Sequence, residues 1–175
     1  MYFRDEHMPC NKRQPGSGCP AIGGANRTLA ILGTSAHCIA TNPSDQNVAL
    51  AALEARIAIQ GAHGERIVPI ADFFLLPGDT PERETVMQPG DLITHVLLPP
   101  PKAGTRSHYL TLRDRASYEF ALASAAVVLG VDGGRIHHAR VALGGVGTRP
   151  WRSPEAERAL LGQPATSASF AVAAE

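Results

Sequence analysis

The stretch Cys10-Asn11-Lys12-Arg13-Gln14-Pro15-Gly16-Ser17-Gly18-Cys19, with Cys38 and the turn Ala40-Thr41-Asn42-Pro43-Ser44-Asp45 downstream, decides how the chain is read. It holds all three cysteines of the sequence. Pro15, Gly16 and Gly18 forbid a helix between the first two cysteines and leave backbone N–H groups to be satisfied elsewhere. Gly23-Gly24 and the short apolar run Leu29-Ala30-Ile31-Leu32 follow. So few apolar side chains cannot hold a loop of this length against its conformational entropy. The thiols are the expected means of ordering it.

Three chemistries are open to three thiols. A disulfide from Cys10 to Cys19 or to Cys38 leaves one thiol over, and three cysteines in 175 residues are not a disulfide framework. Zinc, with His7 or His37 as fourth ligand, ordinarily comes with a close Cys-x-x-Cys knuckle, which this sequence lacks. An iron–sulfur cluster accepts thiolates from loops of varied spacing, which suits these wide intervals. On spacing alone, buried thiols without a ligand rank first.

Outward from the loop, Ser44 is placed to cap a short apolar helix through Ala55, with Asp45 in its first turn at the positive end of the helix dipole. Arg56 to Gln60 and Glu65 to Ile70 flank Gly61-Ala62-His63-Gly64 and predict a β-hairpin. His63 belongs at its solvated tip, and Phe73 and Phe74 belong in the core. Leu75 to Gly90, rich in proline and charge, predicts a long surface loop. Asp91 to Leu98 predicts a buried strand, stopped by Pro99-Pro100-Pro101, the best boundary in the chain. Beyond it, Ser107 to Arg113, the apolar run Phe120 to Leu129 and the alternating Arg135 to Leu143 predict an antiparallel unit of about three strands. A helix follows near Ser153 to Leu161, with Trp151 as a packing plug between it and the last strand.

The chain has 16 basic and 16 acidic residues with no like-charged run, which argues against a nucleic-acid or polybasic membrane surface. No apolar stretch approaches the roughly 20 residues that span a bilayer, and none reads as a secretory leader. Apolar residues make up 44%, enough for a real core. There is no Gly-x-Ser-x-Gly elbow, P-loop or Gly-x-Gly-x-x-Gly fingerprint. No catalytic side chain is expected, so any chemistry must come from cofactors.

Longer motifs then rank the alternatives. Tyr2-Phe3-Arg4-Asp5, Pro9-Cys10-Asn11-Lys12-Arg13, Pro15-Gly16-Ser17-Gly18-Cys19 and Leu32-Gly33-Thr34-Ser35 with Cys38-Ile39-Ala40 are one set. Leu76-Pro77-Gly78-Asp79-Thr80-Pro81, Ser107-His108-Tyr109-Leu110, Arg113 to Ala121 and Val141-Ala142-Leu143-Gly144-Gly145-Val146 extend it along nearly the whole chain. Together they resemble the flavoprotein (medium) subunit of the xanthine dehydrogenase, or molybdenum hydroxylase, family. The similarity is greatest to the bacterial aldehyde oxidoreductase type, which carries an extra [4Fe–4S] cluster in its flavin domain.

The resemblance implies an α+β fold in two parts. Residues 1–100 would be the C-terminal part of a PCMH-type FAD-binding domain, with the iron–sulfur loop at 1–40. Residues 103–175 would be a small antiparallel-sheet-plus-helix domain of the carbon monoxide dehydrogenase flavoprotein C-terminal type. It implies FAD contacts from Thr41, Ser44, Asp45, Leu92 and Ile93, and cluster ligands Cys10, Cys19 and Cys38. In the family pattern a fourth cysteine and the Gly-rich loops for the FAD pyrophosphate precede the Tyr-Phe-Arg-Asp run. The expectation is therefore a fragment of a longer subunit, with the fourth ligand upstream of Met1. The implied partners are a molybdenum-cofactor large subunit and a [2Fe–2S] small subunit, with electrons passing through FAD to an external acceptor. The implied compartment is the cytoplasm, or the periplasm by co-export with a partner subunit. At Thr111, close relatives resemble one another in carrying a lysine. The competing expectation from another class is a non-catalytic interaction module stapled by metal, with zinc in the thiol loop.

Overall fold

Among the described residues, eleven short elements and two buried clusters position the loop. The computed structural model describes residues 4–175, so Tyr2 and Phe3 of the first motif lie outside it. The first helix, α1 (Asp45–Ala52), starts where Ser44 Oγ accepts from the Asn47 backbone N–H at 3.2 Å. That bond satisfies one of the orphan donors of the first turn. The helix buries Val48, Ala51 and Ala52, spaced to lie on one face.

Strands β1 (Arg56–Gly61) and β2 (Gly64–Pro69) form the expected hairpin, with β3 (Leu92–Leu97) on the other side of β1. All pairings are antiparallel, in the order β2-β1-β3. The one-turn helix α2 (Ile70–Phe73) closes this sheet, and Phe73 meets Phe74 edge-to-face with ring centroids 5.0 Å apart. Here one expectation is corrected. Strand β3 is an exposed edge, not a buried strand, and Leu92, Ile93 and Val96 all lie open. Its apolar run reads as buried on both faces, but among the described residues it has a single strand neighbour and little packed upon it.

Beyond the proline run come β4 (Thr105–Leu112), β5 (Ala123–Asp132), β6 (Arg135–Gly144) and β7 (Trp151–Arg152). They pair antiparallel in that order, giving four strands where about three were expected. Trp151 belongs to the fourth, a two-residue strand too short to show a period. The run from Phe120 is not one element either, because β5 begins at Ala123 and Phe120 is 71% exposed. Helix α3 (Pro154–Leu160) follows with Ser153 capping the Ala156 N–H at 3.3 Å, and α4 (Ser167–Ala174) packs beside it.

The core crosses the proline run. Val48, Ala51, Ala52 and Ala55 meet Ile57 and Ile59 of β1, Ala126 of β5 and Ala142 of β6 in one buried cluster. Close approach is required at Gly144, where a Cβ would stand 2.3 Å from Val48 Cγ2. A charge network braces the same junction. Arg152 grips Glu157 through Nε and Nη2 at 2.7 and 2.8 Å, donates to Ala51 O at 3.1 Å, and has Arg140 and Glu54 beside it.

Candidate functional site

The thiol loop is ordered by backbone pairing, a means the sequence did not announce. Ile31 and Leu32 N–H groups donate to Val146 O at 2.9 and 3.0 Å, and the Thr148 N–H donates to Leu32 O at 3.1 Å. The bridge of Leu32 to Gly147 runs parallel. Thr148 Oγ1 donates to Gly33 O at 2.9 Å. Gly33 has a φ of +67°, and a Cβ there would come within 2.7 Å of the Trp151 ring. Trp151, expected as a plug between the last strand and the helix after it, also packs on the loop.

A strap formed by residues 75–84 crosses the other side of the loop. His37 Nε2 lies 3.4 Å from Asp79 Oδ1, and Lys12 pairs with Glu84. On the third side, Arg27 forms a forked pair with Asp114 at 2.9 and 3.3 Å, drawing the segment before β5 over the loop.

These three supports leave a cavity of about 580 Å³ lined by Cys10, Cys19 and Cys38 together. Lys12, Thr41, Glu84 and the Phe120–Leu122 stretch complete its wall. All three thiols are free, with Cys38 buried and the other two half-buried. Burial pushes the Cys38 thiol up, while the Ala40 N–H at 3.5 Å from its sulfur and the Lys12 ammonium pull the other way. Among the described residues, no group of three or more His, Cys, Asp or Glu side chains is arranged to hold a metal ion.

The five residues expected at the flavin fall into three places. Thr41 lies in the thiol cavity, its hydroxyl donating to Thr28 O at 3.2 Å. Ser44 caps α1, and Asp45 beside it accepts from the Tyr109 hydroxyl at 2.8 Å. Burial foremost, and Asp45 in addition, raise the Tyr109 phenol, keeping it the donor. Leu92 and Ile93 stand exposed on β3, and the cavity holding the thiols and Thr41 does not include them. Tyr109, Lys12 and Asn11 went unassigned from sequence. Tyr109 could have been flagged as a lone aromatic in a strand otherwise rich in polar residues.

Both halves of the chain match described domains. Residues 21–101 match the FAD binding domain in molybdopterin dehydrogenase, and residues 107–175 match the CO dehydrogenase flavoprotein C-terminal domain. The chain belongs to the FAD-binding subunits of the molybdenum hydroxylase family. Among its relatives is the aldehyde oxidoreductase FAD-binding subunit PaoB of Escherichia coli K12, 49% identical over 91% of this chain and 49% of that protein. The carbon monoxide dehydrogenase medium chain of Afipia carboxidovorans is 30% identical over 68% of this chain and 39% of its own length. Among solved structures, carbon monoxide dehydrogenase from Hydrogenophaga pseudoflava superposes with a TM-score of 0.67 at 31% identity, covering 75% of this chain and 44% of that one. Quinoline 2-oxidoreductase from Pseudomonas putida 86 gives 0.66 at 27% identity, over 77% of this chain and 45% of that one. The chain therefore spans about half the length of the curated relatives it matches.

Proposed function

We propose that this chain is part of the flavoprotein subunit of an aldehyde oxidoreductase-type molybdenum hydroxylase. In that role it receives electrons from molybdenum and [2Fe–2S] subunits and passes them through FAD to an external acceptor. Cys10, Cys19 and Cys38 hold an additional [4Fe–4S] cluster, with the fourth ligand outside these residues. Thr41, Ser44, Asp45, Leu92 and Ile93 serve the flavin. Residues 1–100 and 103–175 act as the flavin-domain part and the C-terminal domain.

The observation that carries this reading is the cavity in which three free thiols of one loop, Cys10, Cys19 and Cys38, stand with Thr41 in one wall. Iron–sulfur clusters are held by cysteine thiolates taken from loops of varied spacing, which is in keeping with three thiols in one cavity wall. When bound, the cluster supplies one-electron transfer at a potential set by charge, burial and hydrogen bonds to its sulfurs. The chain's own contribution is concrete. The Ala40 N–H lies against the Cys38 sulfur, the Lys12 ammonium lies in the wall, and Thr41 joins the thiols to the turn that starts α1.

The experiment is anaerobic isolation of the full-length subunit, with iron, sulfide, zinc and FAD assayed together. Four irons and four sulfides per subunit are expected, and Cys38→Ser should abolish them while retaining FAD. Stoichiometric zinc in place of iron would refute the cluster and support the metal-stapled module.

A further inference from the structure

Asn11 is 6% exposed, one of few buried polar residues among those described. Both polar atoms of its carboxamide are hydrogen-bonded. Nδ2 donates to His37 O at 2.9 Å, and Oδ1 accepts from the Gly18 N–H at 2.8 Å. Each partner adjoins a cysteine. Asn11 follows Cys10, Gly18 precedes Cys19 and His37 precedes Cys38. One planar group thus grips the backbone one peptide away from all three thiols, yet is not itself part of the cavity wall.

Neighbouring side chains work more locally. Ser17 Oγ accepts from the Cys10 N–H at 3.0 Å, within the first turn. Ser35 Oγ accepts from the His37 and Cys38 N–H groups at 3.1 and 3.2 Å, within the last. Asn11 spans the two. The task needs a donor and an acceptor on one short side chain. Aspartate would turn an acceptor toward the His37 carbonyl, and alanine would remove the partner of two part-buried backbone groups.

We infer that Asn11 is a positioning residue that holds the Cys10–Cys19 turn against the Cys38 segment, so that the three thiols form one ligand set. This rests on the reading of the thiol cavity as a metal-cluster site. Partners that orient metal ligands typically contribute about 10- to 100-fold in affinity, and that range is expected here.

The test uses the full-length subunit, stripped of metal and reconstituted anaerobically with ferrous iron and sulfide, with bound iron and sulfide assayed. Thiols left unprotected are then alkylated and mapped by mass spectrometry. In the native chain the reconstituted cluster should protect Cys10, Cys19 and Cys38. Asn11→Ala should need about 10-fold or more iron to fill, with Cys38 alkylated. Asn11→Asp, which keeps the acceptor for Gly18, should still protect Cys10 and Cys19 while releasing Cys38. Asn26→Ala, which removes an exposed loop bond to Ile22 O, should behave as native. If Asn11→Ala lowers the unfolding midpoint but leaves affinity and Cys38 protection unchanged, Asn11 is structural and the inference fails while the cluster reading stands. If the native chain protects none of the three thiols, the cluster reading itself fails.

Discussion

The Tyr109 hydroxyl donates to Asp45 Oδ1 across 2.8 Å, tying the first strand beyond the proline run to the first residue of α1. This bond joins the two parts at the turn proposed to serve the flavin. It also gives Asp45 a structural duty besides any contact with a cofactor. Tyr109→Phe should cost about 0.5–1.5 kcal/mol in denaturant unfolding. Asp45→Ala should lower the FAD content of the full-length subunit. Flavin content unchanged in Asp45→Ala would restrict Asp45 to the helix terminus and Tyr109.

Gly144 lies under Val48, and an added methyl has nowhere to go. Gly144→Ala should destabilise by about 1–3 kcal/mol through overpacking. Combining it with Val48→Ala should cost less than the two singles summed, because the smaller side chain at 48 relieves the clash and the added methyl fills part of the cavity it leaves. Strict additivity in a double-mutant cycle would contradict this account of the α1–β6 contact.

Acid should unfold the protein through its paired carboxylates. Burial pushes Glu54 up, but the Arg140 and Arg152 guanidiniums outweigh it and hold the carboxyl below its ordinary range. The Arg66 hydrogen bond, helped by the Gln88 N–H, does the same for Asp91. Both folded-state values lie below the unfolded ones, so the stabilisation is fully present above about pH 5 and is lost as pH falls through the carboxylate range below about 4. Denaturant midpoints followed from pH 7 to pH 2 should be flat and then fall. Arg66→Met should make the fall shallower, and an equally steep fall would remove Asp91 from the explanation.

Thr111 lies on β4 opposite Ser124, half-buried on the face that carries Tyr109. A lysine there would add a cation where the family resemblance places the flavin. A positive charge favours the more negative, reduced flavin, and in a partly buried site it does so more strongly than in water. Thr111→Lys should raise the flavin midpoint potential in a spectroelectrochemical titration. A shift to lower potential, or none, would refute it. The Arg115 guanidinium is already engaged, donating to Tyr118 O at 2.6 Å within its own loop.

Local chemistry was legible in the sequence. The hairpin turn from Gly61 to Gly64 and the caps at Ser44 and Ser153 each depend on residues within a few positions, and each forms where the pattern places it. What was not legible depends on partners distant in the chain. Leu92 and Ile93 read as buried because a strand's hydrophobicity does not say how many neighbours it will have. Trp151 gave no strand signal because two residues carry no alternation. The thiol loop gave no sign of its backbone partner, since Val146 to Thr148 bear no mark of complementarity to Ile31 to Gly33. Asn11 is an ordinary polar residue until Gly18 and His37 are brought to it.

The parallel bridge between Leu32 and Gly147 also sets a timetable. A chain synthesised from its amino terminus exposes all three cysteines long before Val146 to Thr148 leave the ribosome. Contacts so far apart in sequence close late, because the loop entropy is lost before the contact repays it. Until then the cysteines are tethered to one another only by a flexible segment, each open to oxidation or to a stray metal ion. On the proposed cluster reading, loading of the thiol cavity follows the arrival of Val146 to Thr148, and the nascent thiols have to stay reduced until then.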